Sequence, residues 1–268
     1  MQETRRTNAE RTRATRTALV TAARELFVDP GYAEASTPQI AAAAHVTRGA
    51  LYHHYADKRD LFRAVVEAEA EAVAREIEAR TSPVGSVHEA AAAGATRTAP
   101  RSSDAPPAPR PPHAPDAPDA RGMLVEGARA YLDAMAVPGR TRLLLVDAPA
   151  VLGAAETDAL DARHARRTLR AGLAAAIDTT PDDAAPDDEA RTGRARDGGS
   201  HPAERDRPTT PRVGDDVAHE DRLDALTLLL SAAFDRAALA LDGGAPPHPV
   251  RAAVTELVDR VCAPRTTR

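Results

Sequence analysis

The chain of 268 residues has little of several things that usually decide a fold. It holds one cysteine, Cys262, so no disulfide can form within it, and at the end of an apolar helical stripe this residue reads as a small core filler rather than a nucleophile. Tryptophan is absent and aromatic residues make up only 3%. Alanine and leucine must then do most of the packing, which favours closely approaching helices over a sheet of β-branched and aromatic side chains. No uncharged apolar run approaches the roughly 20 residues that span a bilayer, and the polar, arginine-rich start lacks the apolar core of a signal segment, so the expected location is the cytoplasm. The sequence also lacks a G-x-S-x-G, a phosphate-cradling glycine loop, an H-E-x-x-H and a cysteine with a nearby base. These absences argue against an enzyme, and no cofactor is expected.

Apolar residues make up 43%, which is ample for a core. The net charge of −5 is unevenly distributed. Residues 1–60 carry nine Lys or Arg against seven acids, whereas 178–221 carry thirteen acids against six arginines. Acidity is thus held away from one end. That end opens with Arg5, Arg6 and Arg11, read as a disordered basic arm over residues 1–12, either a source of sequence-independent phosphate contacts or a solvated tail.

The segment TPQIAAAAHVTRGALYHHYADK, Thr37 to Lys58, carries the strongest signal. Thr37 can cap a helix start, and Pro38 follows where a missing N–H does no harm. Ile40, Ala41 and Ala44 give a small apolar face, His45 and Val46 interrupt it, and Thr47 can cap again. Leu51 and Tyr55, four apart, then face inward. Two short helices joined by a tight turn form the geometry that places the second in a major groove. Arg48 lies in its first turn, where a guanidinium can fork onto guanine, and Thr47 can meet a phosphate or a thymine methyl. Gly49 lets the backbone approach a duplex, while Tyr52, His53, His54 and Lys58 offer donors to phosphate oxygens. Taken alone, the pattern also fits an ordinary surface helix with a buried tyrosine. Neighbouring histidines point about 100° apart on a helix, with no Cys or carboxylate at ligand spacing, so no metal site is expected.

The flanks add to this. An upstream helix with Leu19, Ala22, Ala23, Leu26 and Phe27, the turn Gly31-Tyr32, the string IAAAAHVTRGALYHHY and the follow-on DKRDLF together resemble the TetR family of bacterial repressors over about Arg13 to Val73. His45 stands where that family most often has glycine, and histidine is among the residues that visit positive φ more readily. The resemblance implies phosphate contacts from Thr37, Tyr52, His53 and Lys58, with His54 less clear, and base reading by Gln39, Thr47, Arg48, Gly49 and Ala50.

Beyond residue 73 the pattern alternates helices with two long inserts. Leu61, Phe62, Val65, Val66, Ala72, Val73 and Ile77 predict a helix from Lys58 to about Arg80. Residues of about 81–120 are rich in Ala, Pro, Ser and Arg and read as disordered, with a short helix possible in propensity at Val87 to Ala93. Leu124, Ala128, Tyr131, Leu132 and Met135 predict a helix that Pro138-Gly139 ends. RLLLVDAPAVLG is expected to be helical with a break near Pro149, and a further helix is expected from about Glu156 to Asp178. A second insert, about 179–214, is acidic and too long for an ordered loop. Two last stripes, Leu223 to Leu241 and Val250 to Val261, predict an antiparallel hairpin.

The expected architecture is therefore all-α: a three-helix helix-turn-helix DNA-binding domain over 13–73, then a helical ligand-binding and dimerisation domain over 74–268 with the two inserts. The resemblance implies a homodimer built on the last hairpin, an inverted-repeat operator in double-stranded DNA, and repression relieved by a small-molecule effector in a C-terminal cavity. Tyr131, Met135, Asp147, His164 and Phe234 are the candidate lining residues. The alternative is a constitutive dimeric DNA-binding protein without an effector.

Overall fold

In a computed structural model that describes residues 7–82, 120–178 and 213–263, the first helix, α1 (Asn8–Val28), starts at a reciprocal cap. The Thr7 hydroxyl accepts from Glu10 N and Glu10 Oε2 accepts from Thr7 N at 2.7 Å, which satisfies two donors that a helix start leaves open. Residues 8–12, expected in the disordered arm, therefore belong to the helix. The same logic moves the next cap by one residue. Ser36, not Thr37, caps α2 (Thr37–Ala43), because Gln39 three residues on closes a capping box with it. Thr47 caps α3 (Arg48–His54), accepting from Ala50 N at 3.1 Å. Between them His45 takes φ 56°, the positive value expected of a residue in a glycine position, and it is the only such non-glycine among the described residues.

Asp57 caps the long helix α4 (Lys58–Thr81), accepting from Asp60 N at 2.7 Å. Its buried face runs from Leu61 and Phe62 to Val73 and Ile77, so one rod takes part in two cores. The first core gathers Leu19, Phe27, Ile40, Leu51 and Phe62, with the scarce aromatics concentrated there. Phe27, Tyr32 and Phe62 touch pairwise, with ring centroids 4.8–5.5 Å apart. The second core surrounds Ile77, Leu132, Leu173, Phe234 and Val258.

Next comes α5 (Ala120–Met135), which packs along α4. The turn Pro138-Gly139 ends it as expected, with Gly139 at φ 76°. A helical stretch, α6, then covers 140–152: Arg140–Arg142, a π-helical turn Leu143–Asp147, and Ala148–Leu152. The break expected near Pro149 does not occur. The backbone widens instead, with Ala148 N donating to Leu143 O five residues back, so the turn before the proline closes in a different register. The chain turns later, at Gly153 with φ 91°. The helix expected over 156–178 is two, α7 (Ala154–Arg163) and α8 (Ala165–Asp178), divided at His164, whose φ of −117° and ψ of −103° are not helical. The closing hairpin is present as α9 (Val213–Asp242) and α10 (Pro247–Val261). The fold is all-α among the described residues. Both expected inserts, apart from residues 81–82, 120 and 213–214, and the short helix at 87–93 lie outside them.

Two polar clusters attach the first bundle to the second, beside Leu143, Ala148, Leu152 and Leu160, which pack into the first core. Arg140, buried, donates to Glu69 Oε2 at 2.8 Å, Glu76 Oε1 at 3.0 Å and Ala134 O at 2.6 Å. Arg24 of α1 shares Glu69 at 2.9 Å and reaches Pro138 O at 3.3 Å. Burial pushes the Glu69 carboxyl up, but the two guanidiniums together outweigh it and hold it below the usual range. At the other contact, Glu156 of α7 accepts from both Arg59 and Arg63 of α4, and Arg59 also donates to Leu152 O at 2.8 Å.

Candidate nucleic-acid interface and internal cavities

Freed from capping, Thr37 presents its hydroxyl to Tyr52, with Oγ1 and the phenol oxygen 3.0 Å apart. One turn back on α3 the Arg48 guanidinium lies 5.6 Å from the Tyr52 ring centroid. These three side chains form a polar line across α2 and α3, and the bond from Thr37, followed by that from Arg48, lowers the Tyr52 phenol pKa. Tyr52 is 43% exposed, so this line lies on the outer face. Gln39, Thr47, Arg48, Gly49 and His53 are exposed there too, while Thr37, Ala50 and His54 are partly covered. A Cβ added at Gly49 would meet only Thr47 Oγ1 at 3.9 Å, so the open space beside α3 belongs to whatever approaches it. Gln39 turns its amide oxygen back to Ser36, leaving its NH2 group outward. Burial lowers the His54 pKa, helped by His53 and Arg16. No cluster of three or more metal-ligating side chains occurs among the described residues.

Lys58 does something different from the other residues named from the sequence. Its ammonium donates to the carbonyls of Tyr32, Ala33 and Ala35 at 2.8, 3.3 and 3.0 Å, and it lies 4.4 Å from the Tyr32 ring centroid. An ammonium has three donors. All of them are committed to the loop between α1 and α2, so Lys58 fixes the entry to the helix-turn-helix from inside it.

Two cavities of about 270 Å³ each lie in the second bundle. One is bounded by Ile77, Met123, Leu124, Leu169 and Phe234, with Thr168 and Ser231 as polar lining. The other is bounded by Val66, Val73, Met135, Leu144 and Leu145, with Asp158, Asp161 and Asp235 at one side. Tyr131, Ala165 and Arg166 line both. Of the residues expected to line a cavity, Tyr131, Met135 and Phe234 do so. Asp147 does not; it pairs with Arg142 at 3.5 Å. His164 sits at the α7–α8 division with Nε2 buried and without a hydrogen-bond partner, and it lines neither.

Apart from Tyr131, the polar groups at the shared wall were not singled out from the sequence. Tyr131 donates to Asp235 Oδ1 at 2.5 Å, and Ser231 lies 3.4 Å from Asp161 Oδ2. Arg166 Nη2 bridges Asp158 at 2.7 Å and Asp161 at 2.8 Å. Arg166 Nε and Thr168 Oγ1 are buried without a hydrogen-bond partner; Thr168 lines the first cavity and Arg166 both. Burial pushes the Asp235 carboxyl up to about 6, with Asp161 adding to the shift and Tyr131 and Arg166 opposing it. A signal was available: Thr227, Ser231 and Asp235 recur every four residues inside the apolar stripe of α9.

Residues 19–65 match the family model for bacterial regulatory proteins of the tetR family, and residues 122–186 match the tetracyclin repressor-like C-terminal domain. Over 62 residues the chain is 42% identical to the HTH-type transcriptional repressor BepR of Brucella suis, covering 23% of this chain and 29% of that protein. The curated relatives it matches are thus spanned over less than half their length, from 28% to 46%. Among solved structures, a tetR-family regulator of Shewanella superposes with a TM-score of 0.53 at 16% identity, covering 94% of this chain and 99% of that one. A regulator of the same family from Pectobacterium atrosepticum gives 0.50 at 23% identity, covering 96% and 95%. At such identities the likeness is one of fold.

Proposed function

Because the chain belongs to the tetR family of bacterial regulatory proteins, we propose that it is a sequence-specific transcriptional repressor whose hold on its operator weakens when a small molecule enters the cavities of its second bundle. Arg48, Gln39, Thr47 and the bare backbone at Gly49 and Ala50 read base edges, while Thr37, Tyr52 and His53 position the helix on phosphates. Lys58 serves the interface indirectly, through the loop it holds.

One observation supports the coupling above all: α4 belongs to both halves. Its first turn carries Lys58, bonded to the loop that leads into α2, and its later turns place Val66, Val73 and Ile77 on the cavity walls. A ligand that fits better when α4 is displaced therefore favours a different position of α3, and by linkage DNA disfavours the ligand equally. Dimerisation through α9 and α10 completes the reading. Leu228 and Leu229 on α9 are 52% and 67% exposed, an apolar surface suited to a second copy. Two recognition helices on one face call for an inverted repeat with half-sites about 34–36 Å apart or somewhat more.

Protection mapping on the DNA flanking the gene would find the site, followed by titration of the complex with small molecules. Symmetric protection that a bound molecule abolishes is the expected result. Protection that no cavity-binding molecule affects would leave a constitutive DNA-binding dimer instead.

A further inference from the structure

We propose that the second cavity receives a small apolar molecule bearing one protonated nitrogen, with the cation seated against Asp235 and Asp161. This rests on the ligand-gated reading above and adds the chemical class of the effector.

The argument begins with a charge imbalance. Asp158, Asp161 and Asp235 line this cavity together with a single guanidinium, that of Arg166; the Asp158 side chain is 60% exposed and screened by water, so the excess rests on Asp161 and Asp235. Arg166 spends Nη2 on Asp158 and Asp161 and has no salt bridge to Asp235. Asp235 is left with the Tyr131 phenol, which donates a hydrogen bond but brings no positive charge. The remaining walls supply none either. From α4 come Val66, Ala70 and Val73, and from α6 Leu144, Leu145 and Pro149. An ionised carboxylate among such walls lacks the solvation it would have in water, so a counter-ion entering beside it is strongly favoured and an anion is repelled.

Asp235 is available in that form. Its raised pKa of about 6 leaves it mostly ionised at neutral pH, and a cation alongside would bring it lower still. A neutral donor could also bond the carboxylate, but the excess negative charge would persist. The walls set the rest of the molecule: the aliphatic lining suits a hydrocarbon or aromatic body, and about 270 Å³ is near the lower limit of roughly 300 Å³ for ligand cavities, so the body is small.

Calorimetric titration of the full chain with 1-naphthylmethylammonium, and with its shape-matched alcohol (1-naphthalenemethanol) and anion (1-naphthoate), tests this. The cation should bind about tenfold more tightly than the alcohol, because a charge-assisted bond replaces a neutral one, with naphthoate weakest. Asp235→Asn should cut that preference to about threefold or less while alcohol binding changes by about twofold at most. Equal binding of cation and alcohol overturns the proposal, as does a preference that survives in Asp235→Asn or a failure of all three probes to bind. If Asp235→Asn loses its cooperative thermal transition, Asp161→Asn takes its place with the same expectation. Operator release is read separately in the same solutions. Cation binding without release leaves the cation site standing and removes ligand gating; release by alcohol and cation alike keeps gating and removes the cation site.

Discussion

Glu156 Oε2 lies 2.7 Å from Arg59 Nη2, a contact that ties the first turn of α4 to the helix that also carries Asp158 and Asp161. Both partners are partly exposed, so the pair adds at most about 1 kcal/mol to stability. Its importance lies in position, because it joins a cavity wall to the base of the DNA-binding head. Glu156→Gln should therefore leave the thermal midpoint nearly unchanged while shifting operator affinity, or its response to ligand, by about 0.5–2 kcal/mol. Identical DNA titrations for variant and parent would assign the transmission to other contacts.

Arg48→Ala is expected to lower discrimination between operator and random duplex by about 1–3 kcal/mol, the value of a lost bidentate contact to guanine. Competition binding with both duplexes measures it. A parallel loss on the two would make Arg48 a backbone contact.

Lys58→Met removes the donor from three carbonyls at once, and leaving such groups unpaired costs about 1–3 kcal/mol each when they are buried. The head should melt earlier, with DNA affinity falling in proportion. The slope of affinity against salt should stay the same, since no phosphate contact is lost. A slope reduced by about one would restore the direct phosphate contact that the sequence suggested.

Gly139 faces Val28: a Cβ there would stand 2.2 Å from Val28 Cγ1, at a φ of 76°. Gly139→Ala should cost about 2–4 kcal/mol, part from the left-handed backbone and part from the collision. Adding Val28→Ala should recover about 1 kcal/mol or more, visible as non-additivity in denaturant unfolding. Strict additivity would show that the turn moves away freely.

Asp235 predicts an unusual pH dependence. Its folded pKa of about 6 lies above its ordinary 3.8, so between those values the folded chain keeps a proton that the unfolded chain has lost. Stability from this group is present below about pH 4, falls as the pH rises to about 6 and is flat beyond, a loss on the order of 2–3 kcal/mol. Glu69 acts with the opposite sign and at lower pH, because its depressed pKa makes its contribution vanish only on acidification. Asp235→Asn should be the more stable protein at pH 7, and the advantage should disappear near pH 4. Parallel unfolding curves over that range would show that Asp235 is solvated.

What the sequence made legible was whatever depends on near neighbours. The caps of α2 and α3, the turn at His45 and the stripe of α4 each lie within a few residues of their cause, and each was found to within a residue or two. Tyr131, Met135 and Phe234, chosen as polar or bulky side chains in helices that the resemblance puts around a cavity, do line one, whereas Asp147 and His164, chosen on the same ground, do not. The contacts that join distant segments were not legible. Glu69 and Arg140 are 71 positions apart, and nothing in either local pattern shows that they meet. Asp235 and Asp161 were not singled out, because the partners that mark them, Tyr131 and Arg166, come from other helices. Lys58 shows the same limit, since a lysine at a helix start beside a recognition element reads as a phosphate contact, while the carbonyls it bonds come from a loop 23–26 positions away.

As the chain's one lysine, Lys58 has a practical consequence. An amine-directed acylating reagent has a single side-chain target here, and that amine is sequestered while the loop of Tyr32, Ala33 and Ala35 stays closed around it. The rate of acylation then reports how often the head opens, without any engineered label. Operator DNA should slow the reaction by holding the head shut, so one mass measurement over time follows the local opening equilibrium of the DNA-binding domain.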